Sequence, residues 1–222
     1  MTLAPLTLAS ASPRRKELLE RAGFAVKVVP ADVDEEPLAG ETPVDYTKRL
    51  ARAKVIAAVR RIEATMVPKD PVGPPRGFFQ PTRSEEPLRW VLAADTVVAV
   101  DDLLLGKPVH IDEAREMLTR LSGREHWVIT GFALYDMRRE REGLQAVATA
   151  VRFKHLSRPE IEQYLSTGES MDKAGAYAIQ GIGAYLVESI RGSYTNVVGL
   201  PLCQAVEMME EMGALDVIPW GR

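Results

Sequence analysis

An α/β fold around a central mixed sheet is the architecture this sequence predicts, and three observations predict it. Short apolar runs of strand character are mixed with helical patterns along the chain. Its 222 residues suit one domain, or one core with two lobes, and can bury a substantial interior. The hydrophobic fraction of 46% and the charged fraction of 27% are ordinary for a folded protein.

The elements follow in order. Leu6 to Ala9 reads as a short buried strand, closed by a Ser-Ala-Ser-Pro turn. Pro13 then opens a helix, where its missing N–H does no harm, with Leu18, Leu19 and Ala22 on one face and Gly23 as the stop. A strand over Val26 to Val29 leads into the acidic loop Asp32-Val33-Asp34-Glu35-Glu36. After Thr42-Pro43 comes a long helix, on which Tyr46, Leu50, Ala53 and Ala57 recur at helical spacing. Between Glu63 and Arg89 six prolines and two glycines sit among charges, so this stretch reads as an exposed insertion, open to disorder. Phe78 and Phe79 are its candidates for docking on the body.

Order returns with WVLAADTVVAV, a strongly apolar strand, and an Asp-Asp turn into LLLGKP. Ile111 to Leu121 is an amphipathic helix stopped by Gly123. His126 to Tyr135 and Leu144 to Leu156 form a hairpin across the charged turn MRREREG. A helix runs from Arg158 to Gly168, strand-like segments lie around Tyr177 and over Tyr185 to Ile190, and a last helix spans Leu202 to Met212.

Composition excludes some classes. A net charge of −3 gives no general affinity for nucleic-acid phosphates, although local basic clusters can still hold a small anion. No apolar run reaches the roughly 20 residues that span a bilayer. The N-terminus lacks the charged flank and apolar stretch of a secretory signal. The single cysteine, Cys203, cannot form an internal disulfide and reads as simple packing. Cytoplasm is the expected compartment. His110, His126 and His155 show no metal-ligand spacing and read as structural or exposed.

Five segments carry candidate chemistry. Ser10-Ala11-Ser12-Pro13-Arg14-Arg15 is a strand–turn–helix junction whose free N–H groups, hydroxyls and guanidiniums suit phosphate oxygens; it also reads as a Ser N-cap with solvated arginines. Arg49, Arg52 and Lys54 form either a cation cluster or a solvated helix face. Asp95 ends an apolar run in Ala93-Ala94-Asp95-Thr96, where burial is costly without a partner. Metal binding or general-base work accounts for that placement, and so does turn formation. Gly106-Lys107-Pro108 holds a lysine between a flexible and a rigid residue, without P-loop spacing. Asp172 to Gly181 is rich in small residues, and its Gln180 offers the donor and acceptor that read an amide-like pyrimidine edge; a glycine-rich turn is the plainer alternative.

Taken together, these segments resemble the Maf family of nucleotide pyrophosphatases. The matching pieces, in order, are LASASPRRKELL, DVDE, RLARAK, AADT, GKP, MLTRLSG, DKAGAYAIQG and GSYTNVVGLP. The resemblance covers nearly the whole chain apart from the proline-rich insertion, so 1–222 is expected to be one domain. It implies an elongated mixed sheet flanked by helices, two lobes and an intervening cleft. It implies hydrolysis of a nucleoside triphosphate between the α- and β-phosphates, with Mg²⁺ or Mn²⁺ as cofactor. Carried over, Ser10, Arg14 and Arg15 line the triphosphate and nucleotide pocket, and Lys54 and Lys107 hold phosphate oxygens. Glu35 and Asp95 are the metal-associated carboxylates, with Asp95 accepting the proton of the attacking water.

Arg14, Thr96 and Gln180 match the branch acting on dTTP and UTP, modified pyrimidine nucleotides included. The branch acting on 7-methyl-GTP is expected to carry Trp, Gln and Glu there. The family also suggests a homodimer and, by its association with septum formation, a nucleotide-binding regulator of division as a different class of function. The enzyme reading requires Asp95 to share one cleft with Lys54 and Lys107.

Overall fold

The computed structural model of the chain describes residues 3–66, 88–101 and 103–220. Among these residues seven strands make one sheet: β1 (Leu6–Leu8), β2 (Val26–Val28), β3 (Trp90–Val100), β4 (Leu103–Leu105), β5 (Glu125–Asp136), β6 (Arg141–Phe153) and β7 (Val187–Arg191). The helices are α1 (Pro13–Arg21), α2 (Pro43–Met66), α3 (Ile111–Leu121), α4 (Arg158–Leu165), α5 (Tyr194–Val198) and α6 (Leu202–Met212). The strand order is β2-β1-β3-β5-β6-β7, with β4 on β3. β1 pairs parallel with β2 and β3, and the other pairs are antiparallel. The mixed α/β sheet is therefore the one the sequence predicts.

β3, β5 and β6 run for 11, 12 and 13 residues, about twice a usual strand. Such length lets one sheet carry two lobes. Side chains alternate along β3, so its even and odd positions serve opposite faces. On the even face, Trp90, Leu92 and Ala94 join Leu19 of α1 and Met208, Met209 and Met212 of α6. Further along the same face, Val98 and Val100 join Leu118 and Leu121 of α3 and Ile161 and Tyr164 of α4. The odd face is covered by α2 through Ala51, Val55, Ala58 and Ile62.

Two local features open a site in the middle of this sheet. β1 pairs with β3 only as far as Leu92, and β4 takes over at Val98. Among the described residues, Ala93–Val97 therefore has no strand partner on that edge. The second feature is Gly131, the register partner of Asp95. A Cβ there would lie 2.4 Å from the carbonyl carbon of Thr47, so only glycine lets the α2 backbone come this close. Lys54, two helical turns beyond Thr47, shares its sheet-facing side.

Several sequence expectations are corrected. The helix expected to give way at Glu63 continues to Met66; residues 67–87, with Phe78 and Phe79, lie outside the described residues. Tyr177 is not in a strand, because a 3-10 turn over Ala174–Ala176 with Gly175 at φ 69° diverts the chain. Tyr185 belongs to a second such turn, Gly181–Leu186, and β7 begins only at Val187. β6 starts at Arg141 and ends at Phe153, so the last three residues of the charged "turn", Arg141 to Gly143, are strand. α5 and β4 were not anticipated. Cys203 is exposed rather than packed, with its thiol 3.5 Å from Glu207.

Candidate active site

The unpaired edge of β3 forms the floor of a cleft of about 410 Å³. Ser10, Arg14, Arg15, Glu35 and Lys54 line it from the first lobe. Asp95 and Thr96 lie on its floor, and Lys107 and Gln180 reach it from the second lobe. Every site residue that the resemblance carries over thus lines one cavity, including the Asp95, Lys54 and Lys107 set on which the enzyme reading depends.

Asp95 leaves β3 toward α2, where Lys54 Nζ donates to its Oδ1 at 2.5 Å. The same ammonium lies 2.8 Å from Glu35 Oε1. Lys54 and Asp95 are buried, so each charge is stabilised by the other in place of water. Asp95 Oδ2 has no protein partner among the described residues and is left for a water or a cation. Burial works to raise the Glu35 carboxyl, but the Lys54 hydrogen bond and the charges of Lys54, Lys107 and Arg15 leave it below the usual carboxylate range.

The acidic loop is strapped onto α2. Tyr46 donates its hydroxyl to the Glu35 carbonyl at 2.7 Å, and Arg49 binds the Glu36 carbonyl at 3.0 Å and both Glu41 oxygens. Burial, then the nearby Asp95 and Glu35 charges, pushes the Tyr46 hydroxyl up to about 12, so it stays a donor. The RLARAK cluster therefore divides. Lys54 enters the site, Arg49 holds the loop, and Arg52 pairs with Glu142 on the surface.

Across the floor, Arg15 is fixed by three bonds. Nε donates to the Gly199 carbonyl at 2.7 Å, Nη1 to Ser10 Oγ at 3.0 Å and Nη2 to Thr96 Oγ1 at 3.0 Å. Burial pulls its guanidinium below the ordinary value, opposed by Asp95, yet an arginine remains a cation. Ser10 Oγ also accepts the Ser12 N–H at 3.2 Å, so its proton is left to point elsewhere. Ser12 makes no side-chain cap, and neither arginine is merely solvated. Arg14 pairs with Asp172 at 3.0 Å, beside Lys173 on the same carboxylate at 2.5 Å. Burial would raise the Asp172 carboxyl, but these two cations hold it low.

The second wall is built differently. Lys107 is exposed and makes no hydrogen bond or ion pair among the described residues. Its segment is placed by the backbone: Gly175 N–H donates to the Gly106 carbonyl at 3.0 Å. Gly175 needs its positive φ, and a Cβ would sit 2.9 Å from Val98. Gln180 is half-buried, and its amide has no partner among the described residues. Beneath this loop, Tyr177 meets His126 Nε2 at 2.9 Å. His126 is buried, and His110 caps α3 by accepting the Glu113 N–H.

Glu35 and Asp95 meet at one ammonium, so two hard oxygen donors already converge. Among the described residues no cluster of three His, Cys, Asp or Glu side chains stands ready for a cation. That donor set fits an ion which keeps waters and takes further oxygens from its ligand, as Mg²⁺ does. Tyr46, Thr130 and Asn196 are supporting residues that sequence reasoning passed over. The only signal for them was their position inside apolar or motif segments.

Comparison with known proteins agrees with the geometry. The family profile described as Maf-like protein matches residues 5–212. A dTTP/UTP pyrophosphatase of Geobacter sp. (strain M21) is 48% identical over 97% of this chain and 99% of its own length. One from Geobacter sulfurreducens is 49% identical over 95% of this chain and 97% of its own. One from Clostridioides difficile is 42% identical over 96% and 97%. Residues drawn from six separated segments into one cleft, on a mixed sheet, agree with that match: the chain belongs to the Maf-like protein family.

Proposed function

We propose that this chain hydrolyses dTTP and UTP to the monophosphate and pyrophosphate. Relatives at 42–49% identity carry that activity in their names. The observation that carries the reading is the convergence of Arg15, Lys54 and Lys107 with the Glu35–Asp95 pair around a cleft large enough for a nucleotide. A triphosphate is densely anionic, and fixed cations must offset that charge before a nucleophile can approach.

In this reading Asp95 Oδ2 accepts a proton from a water whose oxygen attacks the α-phosphorus. The bond from that phosphorus to the oxygen bridging to the β-phosphate breaks, and pyrophosphate leaves with its charge held by Lys54 and Lys107. Ser10 donates its remaining proton to a phosphate oxygen. Arg14 and Gln180 face the nucleoside, with the Gln180 amide matching the paired donor and acceptor of a uracil or thymine edge. Glu35 and Asp95 would hold a divalent cation, Mg²⁺ or Mn²⁺. When bound, such an ion lowers the pKa of a coordinated water and neutralises phosphate charge. The reading includes a cytoplasmic homodimer; no helix among the described residues is long and apolar enough to cross a membrane.

A panel of nucleoside triphosphates with Mg²⁺, scored by pyrophosphate release, tests this. Turnover of dTTP and UTP is expected, and its absence at millimolar substrate overturns the assignment. Preference for 7-methyl-GTP would move the enzyme to the other branch. Asp95→Asn should lose at least about 100-fold in kcat while nucleotide affinity is kept.

A further inference from the structure

Two hydroxyls, Thr130 buried and Thr96 half-buried, link the sheet interior to Arg15, and their contact distances order the protons between them. Thr130 Oγ1 lies 3.1 Å from the carbonyl oxygen of Asn196, which can only accept, so Thr130 spends its one proton there. With that proton committed, Thr96 is the donor in its 2.9 Å contact with Thr130 Oγ1, which is shorter than its 3.5 Å contact with the Gly199 carbonyl. Thr96 is left as an acceptor, which is what Arg15 Nη2 requires. Thr96 thus has no proton for a ligand, and its hydroxyl acts on Arg15.

The far end of the chain is anchored just as firmly. Asn196 and Thr130 are fully buried. Asn196 Nδ2 donates to the Val128 carbonyl at 3.0 Å and to Thr149 Oγ1 at 2.9 Å, and its own N–H is held by Ser193 Oγ. Its Oδ1 has no partner among the described residues. The same segment supplies the Gly199 carbonyl to Arg15 Nε. With three of its five N–H groups committed, Arg15 keeps one on each terminal nitrogen, a pair suited to two oxygens of one phosphate.

We infer that Thr130 and Asn196 are positioning residues for the phosphate-binding face of Arg15, acting through Thr96. The inference rests on the triphosphate reading of the cleft. Thr130→Val has nearly the same shape, and Asn196 O keeps the Gly199 N–H at 3.0 Å, so the fold is retained. Without its acceptor, the Thr96 proton turns toward the Gly199 carbonyl, 3.5 Å away, and the turn moves the Thr96 lone pair to which Arg15 Nη2 donates.

The test is a double-mutant cycle. Thr130→Val should lower kcat/KM for dTTP about 10-fold and weaken inorganic pyrophosphate, measured by calorimetry with Mg²⁺, by a similar factor. Thr130→Ser should restore both to within about 3-fold, since it keeps the hydroxyl. In an Arg15→Ala background Thr130→Val should cost less than about 2-fold. An equal loss in both backgrounds overturns the inference, because a general packing defect adds where a relay does not. Thr130→Ala replaces the valine variant if that fails to purify. A wild-type enzyme without dTTP or UTP turnover would instead overturn the functional reading, while the pyrophosphate cycle still decides the relay.

Discussion

The two walls of the cleft differ in how much of their chemistry is already committed. On the first, Arg15 is tied by three bonds, Arg14 by Asp172, and Lys54 by two carboxylates. On the second, Lys107 and Gln180 have no partners among the described residues. The first wall is set before a ligand arrives, and cations held in fixed positions need no reorganisation when charge develops. The second wall keeps unspent donors, which a ligand can satisfy and a wrong ligand leaves unmet. Where the groups are free, the backbone beneath them is closely packed: Gly175 against Val98, Tyr177 on His126.

The comparison breaks most visibly at Lys54. Lys54→Met would leave two carboxylates facing each other without their cation, one of them buried. A loss of about 3 kcal/mol in metal-free buffer is expected from chemical denaturation, with at least about 100-fold in kcat. Recovery of part of that stability on adding Mg²⁺ would place a cation between Glu35 and Asp95; an unchanged midpoint would argue against it.

Gly131→Ala attacks the same wall from behind. Its Cβ would meet backbone atoms of Thr47 and Lys48, which no rotamer change relieves, so α2 must move off the sheet and carry Lys54 with it. About 2–3 kcal/mol of stability should be lost, together with activity. An active, equally stable variant would show that this approach does not set the Lys54–Asp95 distance.

Acid reaches the second wall through His126. Burial holds its imidazole down to about 4, against 6.5 when unfolded. Between those values the unfolded chain binds the extra proton, so stability falls as pH drops from about 6.5 toward 4, by roughly 2–3 kcal/mol. Glu35, held low in the fold, adds a loss that begins only below its unfolded value near 4.5. His126→Gln should flatten the upper part of this curve, and denaturation midpoints across pH 4–7 read it directly. A wild-type curve that is already flat there would contradict the burial argument.

The smallest effect sharpens the contrast. Lys107→Met removes a cation that makes no hydrogen bond or ion pair among the described residues, so KM for dTTP should rise about 10-fold while the thermal midpoint hardly moves. A stability loss comparable to that of Lys54→Met would erase the distinction between the walls.

Much of this was legible in the chain because costly placements demand partners. Asp95 stood in an apolar run, and Arg14 and Arg15 opened a helix after a turn. Gly106-Lys107-Pro108 and Gln180 needed the family resemblance to gain weight. The α2 stripe was misplaced by about one residue, since its buried line includes Lys54, and a search for apolar residues alone passes over a cation. Cys203 looked packed among apolar neighbours, yet α6 turns Ala205, Met208, Met209 and Met212 inward and leaves Cys203 about half a turn away. Tyr177 had strand-like neighbours, but Gly175 against Val98 decided its conformation. Thr130 and Asn196 were illegible for a different reason: their value depends on strand register, which places Thr96 opposite Thr130 and is set by long-range pairing.

Ser10 leaves a last consequence. Both lone pairs of its hydroxyl are taken, one by Arg15 and one by the Ser12 N–H, so it can only give a hydrogen. A ligand that itself presents a hydrogen at that spot is met proton to proton. The pocket therefore offers a hydrogen and no lone pair at that point: an N–H or ammonium finds no acceptor there, and an oxygen with an open lone pair finds a donor.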